Sequence, residues 1–260
     1  MMEKHEGNAE LWHTVFAKGH PVLIGKQRRY RLLPGHPRCK LCEVPFGGIG
    51  GWIMRKRGLA ASDRNPRYCT ACDSFLDAFP GGAEVPISMM MVDIRNSVAL
   101  SGQVSAREFA ARVGALRDDV ATILDRTDGF LLEFQGDSVF AVWPPGFVGP
   151  DHAAKAMKAG ELARQMIATR NRPEDAPVGV GIHTGEVFMG TVSGAGGRIQ
   201  GISAFGLEVN VLARIAAAAA PGEVLASAAV WQAAGRDLSG AKRRSASLKG
   251  VSEPVEIAAL

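Results

Sequence analysis

The chain has 260 residues, 47% hydrophobic and 22% charged, the balance of a soluble globular protein with one large domain or a domain plus a small module. No apolar stretch approaches the roughly 20 residues that span a bilayer, and Glu3, His5 and Glu6 exclude a signal-peptide core, so a cytoplasmic, membrane-free protein is expected. Residues 1–85 carry 13 Lys and Arg against 8 Asp and Glu, while the rest carries 17 against 18, so the basic excess belongs to the N-terminal third. A solvated basic face explains it more simply than a nucleic acid site.

Ala9 to Lys18 reads as a short amphipathic stretch, followed by a basic extended piece ending at Pro34-Gly35-His36-Pro37. All four cysteines then fall into two pairs, Cys39-x-x-Cys42 and Cys69-x-x-Cys72, with 26 residues between them. Reduced cytosolic thiols in this repeated spacing suit a tetrahedral four-thiolate metal site. Zinc is the first expectation and an iron–sulfur cluster the second. The glycines of Phe46 to Trp52 lack the strand-to-helix context of a phosphate cradle, so a turn-rich loop is expected there. Phe79-Pro80-Gly81-Gly82-Ala83 reads as a linker, giving a module over residues 1–83 and a second domain over 84–260.

Ile87 to Val92 is a buried strand that ends at Asp93. Ser105-Ala106-Arg107-Glu108 has the form of a capping box, and Phe109, Val113, Leu116, Val120 and Ile123 continue it as a helix. Gly129–Gln135 and Ser138–Trp143 form a hairpin around Gly136-Asp137. A second helix starts at Asp151, with the narrow stripe Ala156, Gly160, Ala163 and Ile167. Val178–Ile182 and Val187–Val192 read as another hairpin, and Glu208–Ala219 as a third helix. Two short strand-like runs lie within Ser247 to Ile257. The order βαββαβ describes an α+β, ferredoxin-like sheet.

Four features in order carry a family likeness: Asp93 at a strand end, Phe134-Gln135-Gly136-Asp137, Gly181-Ile182-His183-Thr184-Gly185, and Asn210-Val211-Leu212-Ala213-Arg214. Together they resemble the class III nucleotide cyclases, from about Ile87 to the C-terminus. The resemblance implies that Asp93, Asp137 and the Ile94 carbonyl hold two Mg²⁺ or Mn²⁺ ions. Oxygen ligands of this kind suit those ions. Asn210 and Arg214, four apart on one helix face, would position the ribose and stabilise the transferring phosphate. Lys249 would contact the triphosphate, and His183 is read as structural. Because the family builds each site from two catalytic domains and this chain carries both residue sets, a homodimer is implied.

The purine selectors of the family fall at Glu133 and Ser203. Glutamate at the first position tilts the reading toward GTP, since a carboxylate accepts from guanine N1–H and the 2-amino group. Ser203 leaves ATP open. Asn96 stands where the family has glycine. Two rival readings are a catalytically silent, nucleotide-binding regulator and a nucleic-acid-binding zinc module carried on a cyclase-fold dimeriser. The complete Asp, Asp, Asn, Arg and Lys set argues against the first, and the lack of an aromatic–basic strand pattern against the second.

Overall fold

The structure is a computed structural model that describes residues 8–170, 172, 174–194, 199–247 and 254–260. Two compact units partition it. The first comprises residues 1–85, 145–147 and 188–204, and the second comprises residues 86–144, 148–187 and 205–260.

In the first unit, helix α1 (Ala9–His13) widens into a π-type turn over Thr14–Lys18, followed by α2 (Pro21–Arg31). The sequence reads α2 as extended. Pro21 instead occupies the first helical turn, where its missing amide costs nothing, and Arg28, Arg29 and Arg31 close the last turn, where cations suit the helix dipole. The glycine-rich loop is likewise a helix, α3 (Gly48–Lys56). Its glycines serve packing: a Cβ on Gly50 would lie 2.2 Å from the Pro34 carbonyl oxygen. Helix α4 (Thr70–Ala78) follows the second cysteine pair. Trp12 stacks on Phe16 at 5.2 Å, meets Phe75 edge-on at 5.5 Å, and donates from Nε1 to the Phe79 carbonyl.

Strand β1 (Gly82–Ile94) begins inside the expected linker, whose last two residues, Gly82 and Ala83, are sheet. The second unit continues with α5 (Ser97–Gln103) and α6 (Ala106–Thr127). The capping box forms as expected: Ser105 accepts from the Glu108 amide while Glu108 accepts from the Ser105 amide at 2.8 Å. The hairpin of β2 (Phe130–Gln135) and β3 (Ser138–Trp143) also forms, and the short α7 (Pro145–Val148) leads to α8 (His152–Thr169). Ala156, Gly160 and Ala163 of α8 are buried, as their spacing predicts.

The second expected hairpin is absent. Val178 to Gly194 is one strand, β4, paired beyond it with β5 (Ile199–Phe205). Helix α9 (Leu207–Ala218), β6 (Val224–Ser227), α10 (Ala228–Ala233), β7 (Arg243–Ala246) and β8 (Val255–Ala259) complete the chain. The order β2-β3-β1-β4 is the ferredoxin-like arrangement of the expected α+β fold, extended by β6, β8 and β7. Val211, Ile215 and Ala219 pack with Leu225 and Ile257 to fix α9 over the sheet. No helix among the described residues is long and apolar enough to cross a membrane.

Candidate active site and cysteine centre

Strand register decides where the two aspartates meet. β1 and β3 run antiparallel with Asp93 opposite Ser138, and Asp137 directly precedes Ser138 in the turn. Gly136 takes φ 63° there, a left-handed value that suits glycine, and Arg117 of α6 holds the turn by donating to the Gly136 carbonyl at 2.8 Å. Ser138 Oγ donates to Asp93 Oδ1 at 2.7 Å. Asp137 Oδ2 is buried without a hydrogen-bond partner among the described residues. A buried carboxylate oxygen without a donor is costly unless a cation takes it. Two carboxylates at one strand end therefore fit a hard divalent ion, with the adjoining Ile94 carbonyl as a further oxygen ligand.

Arg95, which the sequence reading passes over, belongs to this site. Its guanidinium pairs with Asp93 and donates to the carbonyls of Ala216 at 3.2 Å and Ala217 at 3.1 Å, at the C-terminal end of α9. Burial holds the Arg95 guanidinium below its usual value, and the charge of Asp137 opposes that shift. Arg95 thus ties the Asp93 loop to the helix that carries Asn210 and Arg214. Asn96 adopts φ 55°, a left-handed conformation that Asn tolerates better than most residues, just before α5.

Asn210 and Arg214 are both exposed on α9, and neither has a side-chain partner among the described residues. The first turn of their helix is fixed from below. His183 of β4 bonds Ser227 Oγ at 2.7 Å through Nδ1 and Glu208 Oε2 at 2.5 Å through Nε2. Gly185 makes room for this: a Cβ there would lie 2.5 Å from Glu208 Cγ. The Gly-Ile-His-Thr-Gly signature therefore clamps a helix to a strand, and His183 is structural, as expected. Burial holds His183 below its ordinary value, against the pull of Glu208.

Glu133 is half-buried where the β2–β3 register shifts, and it accepts from Gln135 Nε2 at 3.1 Å. Ser203, in the first unit, is 7% exposed on β5. Lys249 lies outside the described residues.

The cysteines also converge. All four are buried, and their sulfurs lie within 4.8 Å of one another, with Cys42 and Cys69 at 3.6 Å. Four thiolates at 2.3 Å around one tetrahedral zinc would stand about 3.8 Å apart, so the cluster has the size of a single-ion site. Backbone donors add to it: the Cys69 amide donates to Cys39 Sγ at 3.3 Å. Asp73 braces the surrounding loop by accepting from Ser62 Oγ at 2.7 Å and Arg64 Nε at 3.0 Å.

Among known proteins, the chain is 30% identical over 135 residues to adenylate cyclase 1 of Rhizobium meliloti (strain 1021). That match covers 50% of this chain and 20% of the relative. An uncharacterized protein of Mycobacterium tuberculosis, Rv1318c, is 29% identical over 185 residues, 68% of this chain and 33% of its own length. The chain thus spans a third or less of the curated relatives it matches. Of solved structures, the guanylyl cyclase Cya2 superposes with a TM-score of 0.59 at 24% identity, over 68% of this chain and 92% of that one. The guanylate cyclase domain of RhGC from Catenaria anguillulae, solved with GTP, gives 0.58 at 20% identity, over 67% and 95%. The family model of the adenylate and guanylate cyclase catalytic domain matches residues 83–257, and the chain belongs to that family.

Proposed function

We propose that the chain is a nucleotide cyclase converting a purine nucleoside triphosphate into its 3′,5′-cyclic monophosphate and pyrophosphate. The observation that carries this reading is the Asp93–Asp137 pair at one strand end, with a buried Asp137 oxygen left for a cation. Divalent metal ions held by Asp93, Asp137 and the Ile94 carbonyl would lower the pKa of the ribose 3′-hydroxyl and neutralise the triphosphate. In the reaction the 3′-oxygen bonds to the α-phosphorus as the bond to the pyrophosphate oxygen breaks. Arg214 presents two parallel donors to phosphate oxygens, and Asn210 orients the ribose. Lys249 contacts the triphosphate. Glu133 accepts from the donor edge of guanine and Ser203 reads the base beside it, so GTP is the favoured substrate and ATP the alternative.

The active enzyme is a cytoplasmic homodimer, each site taking Asp93 and Asp137 from one chain and Asn210 and Arg214 from the other. The exposure of an unpartnered Asn–Arg pair supports that arrangement. The N-terminal region to residue 83 is a structural module closed by one zinc ion on Cys39, Cys42, Cys69 and Cys72, and the compactness of the four sulfurs supports a single ion. The test is direct. Purified protein is incubated with each of the four common triphosphates and Mg²⁺ or Mn²⁺, and products are identified by mass. A cyclic purine nucleotide is expected, and its absence under every condition would leave a silent nucleotide-binding regulator. Inactive Asp93→Ala and Arg214→Ala chains, once mixed and exchanged, should regain activity. No recovery after demonstrated exchange would refute the shared site.

A further inference from the structure

We propose that Tyr68 is a positioning residue through which metal loading of the four-cysteine cluster sets the base-reading strand β5. The inference rests on the reading of Ser203 as a base contact. It starts from an amide that needs a partner. Among the described strands β5 pairs with β4 alone, so its other edge presents donors that no strand satisfies. At Ile202, which is 4% exposed, water cannot serve that purpose. The Ile202 amide donates to the Tyr68 hydroxyl at 3.2 Å, across 134 residues of sequence. Ser203 is the next residue along the strand. A shift at Ile202 therefore moves Ser203 directly, with no intermediate.

Tyr68 is held as firmly on its other side. It is 2% exposed and directly precedes Cys69. Its amide donates to the Asn65 carbonyl at 3.0 Å, and its carbonyl accepts from the Ser62 amide at 2.9 Å. The Cys69 amide bonds Cys39 Sγ, so the backbone beside Tyr68 is anchored on a sulfur of the opposite cysteine pair. One ion drawing four thiolates together fixes that backbone. Without it, four buried sulfurs compete for protons and space, and Tyr68 loses its anchor. The cysteine cluster thereby acts on Ser203, the residue proposed to read the base.

The experiment is Tyr68→Phe in the full chain, which removes one oxygen and keeps the ring. Zinc content and melting temperature are measured first, and about one zinc per chain should remain. Kinetics with GTP and ATP then separate kcat from KM, and hydrogen exchange follows the peptide containing Ile199–Phe205. The expected result is a KM raised about tenfold with kcat within about twofold, a changed GTP-to-ATP ratio, and faster exchange in β5, since an unpaired buried amide carries a penalty of that order. Ser203→Ala is the control. If Ser203→Ala changes KM or base preference and Tyr68→Phe does not, the coupling is wrong and the base-contact reading stands. If neither variant changes them, the base-contact reading fails and the coupling falls with it. Withdrawing zinc from the wild type with a chelator and restoring it should slow and recover GTP binding in step. An unchanged KM in the zinc-free protein would overturn the proposal independently of any variant.

Discussion

Replacing His183 by alanine tests the clamp beneath α9. The imidazole is 4% exposed and makes two hydrogen bonds, to Ser227 Oγ at 2.7 Å and Glu208 Oε2 at 2.5 Å. A bond to a charged acceptor contributes about 1.5–3 kcal/mol, reduced to about 1–2 here because the Glu208 side chain is 32% exposed. Losing the Ser227 bond adds about 1 kcal/mol, and the cavity left by the ring adds a further 1–2 kcal/mol or so. The expected loss is about 3–5 kcal/mol, read as a lower denaturant midpoint at unchanged slope. A double-mutant cycle with Glu208→Ala should return a coupling of about 1–2 kcal/mol. The pH dependence has a definite sign. Burial holds His183 below its ordinary 6.5, so as pH falls below that value the unfolded chain binds the proton first and stability is lost. His152, also lowered by burial, works in the same direction and remains in the variant. Acid should therefore destabilise the wild type more steeply than His183→Ala. Because Glu208 stands two residues before Asn210, turnover in the folded variant should fall by about a hundredfold, the cost of roughly 1 Å of misplacement. A coupling below about 0.5 kcal/mol, or equal acid sensitivity in both proteins, would refute the clamp.

Asp137→Asn should abolish turnover and Mn²⁺ binding, followed by electron spin resonance, while the metal-free protein keeps or gains stability because the charge on a buried, unbonded carboxylate oxygen disappears. Retained Mn²⁺ affinity would remove Asp137 from the metal site. Elemental analysis should give about one zinc per chain in colourless protein, and Cys42→Ser should release it and unfold the module. A brown protein with visible absorbance would assign iron–sulfur instead. Glu133→Lys with Ser203→Asp should move kcat/KM from GTP toward ATP by about ten- to a hundredfold, the cost of leaving a buried polar edge unpaired. A wild type that already prefers ATP would show that Glu133 does not read the base.

The residues that could be read from sequence are those whose chemistry is local. Asp93 and Asp137 are carboxylates at the ends of apolar runs, and antiparallel pairing brings such ends together once β1 and β3 are recognised. The capping box of α6 lies within four residues. The cysteine pairs announce a cluster by spacing alone. Two of the misread segments share one cause, since each contains glycines whose local preference a distant partner overrides. Thr184-Gly185 looks like a turn, yet β4 runs straight through it because the glycine serves the approach of Glu208. The glycines after Phe46 look like a loop, yet they open α3 because Pro34 packs against them.

The same cause explains why Tyr68 and Arg95 were missed, and why the role of His183 was legible without its partner Glu208, while the candidate reacting residues were named from sequence. An aspartate for a metal or an arginine for a phosphate is selected by residue type, and type is visible in the chain. A residue that holds another in place is selected by the atom opposite it. Tyr68 faces Ile202 across 134 residues, His183 faces Glu208 across 25, and Arg95 faces Ala216 across 121. No spacing rule relates the members of these pairs, because the fold and not the local chain sets the distance between them. Each pair nonetheless bears on one element that carries a site residue: β5 with Ser203, or α9 with Asn210 and Arg214. The candidate catalytic groups of this chain are thus few and legible, whereas the elements that carry them are held by long-range bonds whose loss should change rate or affinity before it changes the fold.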